Sequence, residues 1–408
     1  MLTPSQTAPT IRVGIYRSSS IGDVVLATAC IDLLNQLQVP VQITWIGREP
    51  SLSLVQSAFP KIRTMAVQKN ATMSDIQGMA DELKRLHLLI DLQGNIRSRW
   101  LSHRLRKSHD VHVVQADKAQ LFRNKLLLQS RLRGRKRPLP KETLQPPQRQ
   151  YEMMLTALIK GLKEQVPLEM RYDLNEISAV PRLPIEPTLE TPWQKELYYG
   201  RWVAIAPGAA HPTKQAPEGT FQRVLDNLKA LIQNQKDSGI KGTGIVFVGD
   251  NRDRQVARNI MGSVHWSGPV LNLAGKLSLY ETAKALKYAD TLLSNDSALG
   301  HIAEAVETPT AIIFGPTVEG FGFGPRKSNS AAFSSLVGCR PCSKHGKATC
   351  RYNDRLCFAA VSAEGIAQHI MQLLQTAAAE DGKKPEATAT SVDQGPSDSD
   401  ASKPTLPL

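Results

Sequence analysis

The sequence predicts an α/β protein with two doubly wound domains, each built on a parallel β-sheet. Short apolar runs rich in β-branched residues alternate with segments of helical periodicity, the pattern of strands joined by crossover helices. The alternation stops at a proline-bearing stretch, residues 166–200, and then starts again. At 408 residues the chain is long enough for two domains of ordinary size.

The first half of the chain carries the first round of this alternation. The predicted strands are residues 11–16, 41–46 and 87–91, and the predicted helices are residues 22–37, 74–85 and 96–105. We therefore expect a first domain at residues 11–180, a flexible N-terminus at 1–10 and a linker at 181–200.

The second half repeats the pattern. The predicted strands are residues 202–206, 244–248, 291–294 and 310–314, and the predicted helices are residues 218–233, 252–261, 279–287, 297–306 and 362–375. The second domain is expected at 201–376, with its last helix able to pack back on the first domain. The tail, residues 377–408, is rich in Pro, Ser, Ala and Asp, and we expect it to be disordered because it cannot bury enough apolar surface.

The charge of the chain narrows the class of partner. A formal net charge of +13 and a pI of 9.5 indicate an anionic partner, either nucleic acid, a membrane surface or a phosphorylated substrate. Nucleic acid is disfavoured because no reading module or aromatic platform accompanies the basic residues. The sequence has neither a run of roughly 18 apolar residues nor a signal-peptide pattern, so a cytosolic protein is expected.

Two familiar nucleotide-binding motifs do not occur in the sequence. There is no Walker loop and no G-x-G-x-x-G fingerprint, since Gly320, Gly322 and Gly324 are followed by Pro325 rather than by a helix start. P-loop hydrolysis and nicotinamide chemistry therefore have no support.

Four of the five cysteines crowd into one segment, with the spacing C-x2-C-x7-C-x6-C. In a reducing compartment such a cluster indicates metal binding more than disulfides. Cys339, Cys342, Cys350 and Cys357 could hold a structural zinc ion, with His345 as a substitute ligand. Free or redox-labile thiols are the alternative.

The first strand is followed by the turn "RSSSIGDVV", which places Asp23 at the start of a helix. Ligands of doubly wound sheets bind beyond the carboxyl ends of the strands, and this turn lies at such an end. The helix N-terminus favours an ionised carboxylate there. Asp23 is therefore either a functional carboxylate or a simple helix cap.

Two turns of the second domain are suited to holding phosphates. The stretch after the strand at 202–206 offers Thr213 and Lys214 beside exposed amides. The stretch "NDSALGH" places Asp296 and Ser297 at a helix N-terminus with small residues behind them, and His301 one turn on. A solvated lysine, a helix cap and an ordinary helical histidine are the alternatives.

Taken in order, several motifs resemble glycosyltransferase family 9, the lipopolysaccharide heptosyltransferases. They are "SSIGDVV", "LLIDLQGNIRS", "PGAAHPTK", "NLAGKLSL", "NDSALGHIAEAVETPT" and "FGPT", and the resemblance covers residues 11–370. It implies the GT-B architecture, in which two Rossmann-like domains face each other across a cleft. The first domain would bind the acceptor and the second the nucleotide sugar.

The resemblance also implies a reaction, the inverting transfer of a heptose from an ADP-activated donor to the lipid-linked inner core of lipopolysaccharide. Asp23 matches the general base that takes the proton of the acceptor hydroxyl. Oriented amides and a lysine would stabilise the leaving diphosphate, so no catalytic metal or other cofactor is expected. The donor-side matches are Thr213, Lys214, Asp296, Ser297 and His301, with Asp253 and Asp250 as candidates for the ribose.

The acidic acceptor accounts for part of the basic charge. The candidate acceptor-binding residues are Arg17, Ser20, Arg97, Arg99 and Arg149. The run of leucines and basic residues at 121–141 is either a patch for the anionic inner face of the cytoplasmic membrane or a solvated basic loop.

The chain departs from the family pattern at two places. Ala298 stands where many relatives have glycine, and Gln215 and Ala216 follow Lys214 where a tryptophan-like residue is usual. The donor is thus less closely defined than the family. A same-fold transferase using another nucleotide sugar, a nucleotide-sugar epimerase and a non-catalytic nucleotide-sugar or lipid-surface binding protein are the alternatives.

Overall fold

The computed structural model describes residues 10–117, 119–146, 148–165, 174, 176–235 and 238–380.

The first sheet has five strands, all parallel, in the order β3-β2-β1-β4-β5. The strands are β1 (Ile11–Tyr16), β2 (Val41–Gly47), β3 (Arg63–Ala66), β4 (Leu88–Asp91) and β5 (His112–Gln115). The helices are α1 (Ile21–Ala27), α2 (Ala29–Asn35), α3 (Ser51–Ala58), α4 (Met73–Leu83), α5 (Ile96–His109), α6 (Gln120–Arg133) and α7 (Gln150–Leu162).

The second sheet has six parallel strands in the order β11-β10-β9-β6-β7-β8. The strands are β6 (Trp202–Ala206), β7 (Gly244–Phe247), β8 (Val270–Asn272), β9 (Thr291–Asn295), β10 (Thr310–Phe314) and β11 (Ala331–Ser334). The helices are α8 (Pro192–Tyr199), α9 (Glu218–Gln233), α10 (Asp253–Ser263), α11 (Leu279–Tyr288), α12 (Ala298–Ala305), α13 (Leu356–Ala359) and α14 (Ala363–Glu380). Two doubly wound α/β halves are thus present, as predicted.

The central strands were predicted and the outer ones were not. Strands β3, β5, β8 and β11 are short and only partly buried, so they lack the continuous apolar run that marks the similarly short but fully buried β4 and β7. The single helix predicted at 22–37 is two helices, α1 and α2, which meet at Thr28. The Thr28 hydroxyl donates to the Val25 carbonyl at 2.7 Å and accepts the amide of Arg182 from the linker.

The linker crosses both halves and joins them. The amide of Val180, just before the linker, donates to the Asp32 carboxylate of α2 at 2.9 Å, and the amide of Leu183 donates to the Ala305 carbonyl of α12 at 2.8 Å. Val25 of the first half and Ile302 of the second belong to one buried apolar cluster. The two halves are therefore packed together at one end of the cleft.

The last helix packs on the second half. The sequence alone also allowed it to pack back on the first domain. Ile366 and Ile370 of α14 lie in the same buried cluster as Phe221 and Leu228 of α9. The apolar face of α14 is therefore already covered within its own half. The helix runs to Glu380, five residues beyond the predicted end at 375. Residues 1–9 and 381–408, which hold most of the predicted flexible ends, lie outside the described residues.

Among the described helices, none combines the length and the apolar character needed to cross a membrane.

Candidate active site

A cavity of 880 Å³ lies between the two halves, at the carboxyl ends of their strands. Its volume is within the range of ligand-binding pockets. The lining comes from the segments that follow β1, β2, β6, β7, β8, β9 and β10, together with a segment before α13. The lining residues are 18–23, 48–51, 208–211, 214, 249–250, 252–253, 277–279, 282, 296–299, 301, 317–318, 321, 323 and 344–345. Asp23 and Lys214, predicted from opposite halves, border the same space.

Asp23 serves both as a helix cap and as part of the cavity wall. Its Oδ2 accepts the Ser20 amide at 3.1 Å and the Ser20 hydroxyl at 2.7 Å. These bonds satisfy groups at the start of α1, as the capping interpretation predicted. Ser20 also lines the cavity.

Arg17 lies behind Asp23 and does not line the cavity. Its Nη2 is 2.8 Å from Asp23 Oδ1, with the two side chains only 9% and 18% exposed, and its Nη1 donates to the Leu92 carbonyl. Burial raises the pKa of the Asp23 carboxyl, but Arg17 and the Ser20 hydrogen bonds lower it more, so the pKa is below its ordinary value. Asp23 is thus ionised at neutral pH, and the predicted acceptor role of Arg17 is replaced by contact with Asp23.

The motif "LLIDLQGNIRS" braces the loop that carries Asp23. The side-chain carbonyl of Gln93 accepts the amides of Ser18 at 2.9 Å and Ser19 at 3.2 Å. The buried Asp91 carboxylate in turn accepts the Gln93 amide at 3.0 Å and the Ser98 hydroxyl at 2.9 Å. Sequence reasoning noted the motif but missed this bracing role, which depends on the pairing of β1 with β4.

On the other side of the cavity, Lys214 and Asp296 form an ion pair. Lys214 Nζ is 2.7 Å from Asp296 Oδ2, which also accepts the Thr317 hydroxyl at 2.5 Å. Burial raises the pKa of the Asp296 carboxyl, but Lys214 and Thr317 lower it more, leaving the pKa below its ordinary value. Lys214 is therefore held at the cavity wall and is not the solvated lysine of the alternative interpretation.

The N-terminus of α12 opens on the cavity. Ser297 precedes the helix, and its buried hydroxyl oxygen has no hydrogen-bond partner in the described structure. The unpaired amides of a first helical turn and an unpartnered hydroxyl suit an anion. Gly300 has a different reason for being small, since a Cβ there would lie 2.9 Å from Ile312 Cδ1 of β10. It serves helix–strand packing, not ligand approach.

His301 brings the two halves into direct contact. A Cβ on Gly22 of α1 would lie 2.9 Å from His301 Cδ2, so α1 and α12 approach closely. The imidazole ring packs against Phe323 with centroids 6.0 Å apart. Burial lowers the pKa of His301, and the ring at the cavity wall is therefore neutral at pH 7.

The two candidate ribose acids lie at the cavity with different partners. The Asp253 carboxylate is buried where the loops after β6 and β7 meet. Gly208 and Gly249 leave room for it, since a Cβ on either glycine would lie 2.2 Å from a carboxylate oxygen. Burial raises the pKa of Asp253 above its ordinary value. Asp250 is instead paired with Arg252, Nη2 to Oδ2, at 2.5 Å.

Three other residues predicted to contact substrate do not line the cavity. The Thr213 hydroxyl donates to the Lys347 carbonyl at 2.9 Å and accepts the Lys347 amide at 2.7 Å. Arg149 Nη1 donates to the Pro325 carbonyl at 2.6 Å, which ties α7 to the second half. Arg97 lies on α5 and, like these two, is not among the cavity-lining residues.

Arg123, beside the cavity, was missed as a site residue, and His345 was named only as a substitute zinc ligand. Arg123 of α6 is buried, stacks 5.0 Å from the Phe323 ring and donates to the Phe321 carbonyl at 3.3 Å. His345 lines the cavity instead of joining the cysteines. The signal for Arg123 was its place on a face shared with Leu126 and Ser130 at helical spacing.

All four clustered cysteines border a second cavity, of 290 Å³, behind Thr213. In the described ranges no three His, Cys, Asp or Glu side chains come close enough to hold a metal ion. As arranged here, the thiols do not form a ligand set, and the zinc site stays a prediction. The buried Arg340 ties this segment to the site, because it donates to the carbonyls of Gly315 at 2.6 Å and Thr317 at 2.8 Å.

The sequence model of glycosyltransferase family 9 (heptosyltransferase) matches residues 79–353, well over half of the chain. The chain belongs to glycosyltransferase family 9. Lipopolysaccharide heptosyltransferase 1 of Pseudomonas aeruginosa is 33% identical over 113 residues, which cover 24% of this chain and 31% of that protein. The alignments to the first two curated relatives thus span only 31% and 32% of their lengths.

Solved structures extend the likeness over nearly the whole fold. The structure of the E. coli ADP-heptose lipopolysaccharide heptosyltransferase II has a TM-score of 0.59 and 15% identity, covering 90% of this chain and 99% of that one. E. coli heptosyltransferase WaaC with ADP has a TM-score of 0.55 and 18% identity, covering 90% and 100%. The family 9 chain therefore has the predicted GT-B fold.

Proposed function

We propose that this chain transfers a heptose from an ADP-activated donor to an acidic, lipid-linked acceptor of the lipopolysaccharide inner core, with inversion at the anomeric carbon. The observation that carries the proposal is the shared cavity. An ionised carboxylate from the first half and a lysine beside a helix N-terminus from the second half border one space of 880 Å³. Such a space accommodates a nucleotide sugar and the end of an acceptor chain.

In the proposed reaction the acceptor hydroxyl oxygen attacks the anomeric carbon of the heptose. The bond from that carbon to the diphosphate oxygen breaks, ADP leaves, and the hydroxyl proton passes to the Asp23 carboxylate. The lowered pKa of Asp23 keeps it ionised and able to accept the proton at neutral pH. Arg17 and Ser20 hold both carboxylate oxygens, so the group is oriented before the substrate arrives.

The donor half of the proposal depends on groups that favour negative charge. As the diphosphate leaves, its growing charge would be met by Lys214, the Ser297 hydroxyl and the amides at the start of α12. Lys214 is already paired with Asp296, so the diphosphate must share or replace that partner. The solved relatives named with ADP or as ADP-heptose enzymes support the choice of nucleotide.

The acidic acceptor fits the charge of the remaining wall. Arg48 and Lys344 line the cavity, and the buried Arg123 lies next to its aromatic residues. His345 also lines the cavity, but burial lowers its pKa, so it offers a neutral ring and not a charge. Guanidinium and ammonium groups bind carboxylates and phosphates well. We propose that these residues, together with Ser20, take the place assigned to Arg97 and Arg149 by the sequence.

The test replaces Asp23 with Asn and compares the result with Asp75→Asn. Asp75 caps α4 in the same way, accepting the Thr72 amide at 2.7 Å and hydroxyl at 2.8 Å, but lies outside the cavity. Loss of a general base lowers kcat by about 10²–10⁴-fold, so Asp23→Asn should do this while ADP binding by calorimetry is unchanged. Asp75→Asn should keep full transfer.

Retention of kcat within about tenfold in Asp23→Asn would refute the base. The donor is tested separately by thermal shift with ADP-, UDP- and GDP-sugars, where a ligand at about 100 times its Kd adds roughly 2.7 kcal/mol of stability. A response to UDP- or GDP-sugars alone would favour a same-fold transferase or epimerase. ADP-heptose binding without transfer to any core acceptor would favour a binding protein.

A further inference from the structure

Helix α6 exposes three leucines on the face that points away from the protein. Leu121, Leu128 and Leu132 are 86%, 59% and 80% exposed, and we call them the leucine stripe. They are seven and four residues apart, so at 3.6 residues per turn they share one side of the helix. The buried residues of α6, Arg123, Leu126 and Ser130, lie on the opposite side.

The segment that carries the leucine stripe is strongly basic. From residue 120 to 141 the chain has eight basic residues and no acidic one. Lys125, Arg131, Lys136 and Arg137, here called the basic border, are exposed and form no ion pair with a described residue. Arg123 and Arg133 are engaged inward, Arg133 with the carbonyls of Gly338 and Arg340, whereas Arg135 pairs with Asp354 and Lys141 is exposed.

We infer that the leucine stripe and basic border dock this chain on an anionic phospholipid surface. Leucines flanked by lysines and arginines insert at the boundary between acyl chains and headgroups, while the cations contact the lipid phosphates. A second copy of the chain fits less well, because two such faces would bring like charges together. Residues 120–133 are helical, whereas Lys136 and Arg137 lie in the loop that follows, so the alternative of a solvated basic loop is an outcome of the test.

The position of α6 connects this surface to the cavity. On its inner side Arg123 contacts Phe321 and Phe323, both of which line the cavity. At its first turn Gln120 Oε1 accepts Lys344 Nζ at 3.1 Å, and Lys344 also lines the cavity. Docking through α6 would therefore hold the cavity close to the headgroups. This inference rests on the proposed function at one point only, which is that a lipid-linked acceptor gives the cavity a reason to lie near the membrane.

The experiment measures binding of the full chain to vesicles by co-sedimentation. One set of vesicles contains phosphatidylglycerol and phosphatidylcholine in equal amounts, and the other contains phosphatidylcholine alone. One variant changes the leucine stripe to Gln at all its positions, and the other changes the basic border to Gln. All these side chains are exposed, so folding is expected to be unaffected.

Matched controls remove the same chemistry elsewhere on the surface. The charge control changes Lys69, Lys84, Lys107 and Lys241 to Gln, all exposed, which leaves the same net charge as the basic-border variant. The apolar control changes Met73, Ile96 and Val270 to Gln, which are 54%, 83% and 40% exposed. Both controls keep α6 intact.

The wild type should bind the anionic vesicles and not the neutral ones. Partitioning should fall by about fivefold for each basic-border charge removed and by about tenfold for each leucine that inserts, while both controls bind like wild type. Equal losses in the charge control, or wild-type binding by the α6 variants, would overturn the inference. A dimer that the leucine variant dissociates with no change in vesicle binding would assign the surface to a second copy.

ADP affinity and transfer to a delipidated acceptor are measured on the same variants. If both fail in the wild type while vesicle binding still depends on α6, only the proposed function is wrong. If transfer proceeds and vesicle binding does not depend on α6, only the present inference is wrong.

Discussion

Replacing Arg17 with Met tests how the protein holds the proposed base. In the structure Arg17 bridges Asp23 Oδ1, at 2.8 Å, and the Leu92 carbonyl. Methionine keeps much of the aliphatic volume and removes the charge. Asp23 would then keep only its hydrogen bonds from Ser20.

The expected cost in stability follows from the burial of the pair. Removing one partner of a buried ion pair costs about 3–5 kcal/mol of stability. The Arg17–Asp23 pair is close to fully buried, because its side chains are only 9% and 18% exposed. We expect the free energy of unfolding to fall by about 3 kcal/mol at pH 7. Arg201→Met is a matched control, because Arg201 and Asp290 are also 2.8 Å apart and 9% and 5% exposed, but lie outside the cavity.

The pH dependence distinguishes the two arginines. Burial raises the pKa of Asp23, and Arg17 is the largest influence that lowers it, so Arg17→Met raises that pKa. The acid limb of kcat/KM should therefore move to higher pH. In the wild type the pKa of Asp23 is lower in the folded than in the unfolded state. The stability that Asp23 contributes is therefore fully present above the unfolded-state pKa and is lost as the pH falls through the folded-state pKa.

The assay is kcat/KM against pH for the wild type, Arg17→Met, Arg17→Lys and Arg201→Met. Arg17→Lys restores a cation beside Asp23 and should move the limb back toward wild type. Arg201→Met should lose stability and leave the limb unmoved. If Arg17→Met loses stability but its acid limb stays at the wild-type pH, Arg17 does not govern the protonation of Asp23 and the reasoning fails.

Two further predictions concern the donor side and the contact between the halves. Lys214→Met removes a charged hydrogen-bond partner worth about 1.5–3 kcal/mol to a bound phosphate. Calorimetry should therefore give a Kd for ADP that is about 10–150-fold higher. An unchanged Kd would mean that Lys214 serves only Asp296. Gly22→Ala places a Cβ 2.9 Å from His301 Cδ2. The free energy of unfolding, measured in urea, should therefore fall by about 1–3 kcal/mol. Unchanged stability would mean that α1 and α12 are not in contact in solution.

Local pattern was enough to find the centre of each sheet. Strands β1, β6 and β9 are apolar runs of five or six residues followed by a turn and a helix, and each was predicted close to its observed bounds. The outer strand β8 has three residues, and its backbone becomes a strand only by pairing with β7. Such a segment has no signal of its own because the neighbouring strand supplies its hydrogen bonds.

The site divides in the same way. The rule that ligands bind at the carboxyl ends of parallel strands depends only on element order, so Asp23, Lys214 and Ser297 could be chosen from the sequence and do border one cavity. The rule does not say which way a side chain turns. Thr213, next to Lys214, bonds to Lys347 instead, 134 residues further along the chain.

By itself, then, the sequence determined the two α/β halves, the family and the turns that face the cleft, because these depend on short-range periodicity and on the order of motifs. Only the tertiary structure decided that Arg17 supports Asp23, that Arg123 of α6 contacts the aromatic residues of the cavity wall, and that the last helix stays with the second half. Those outcomes depend on contacts between residues far apart in the chain, where burial and charge pairing select one partner among many.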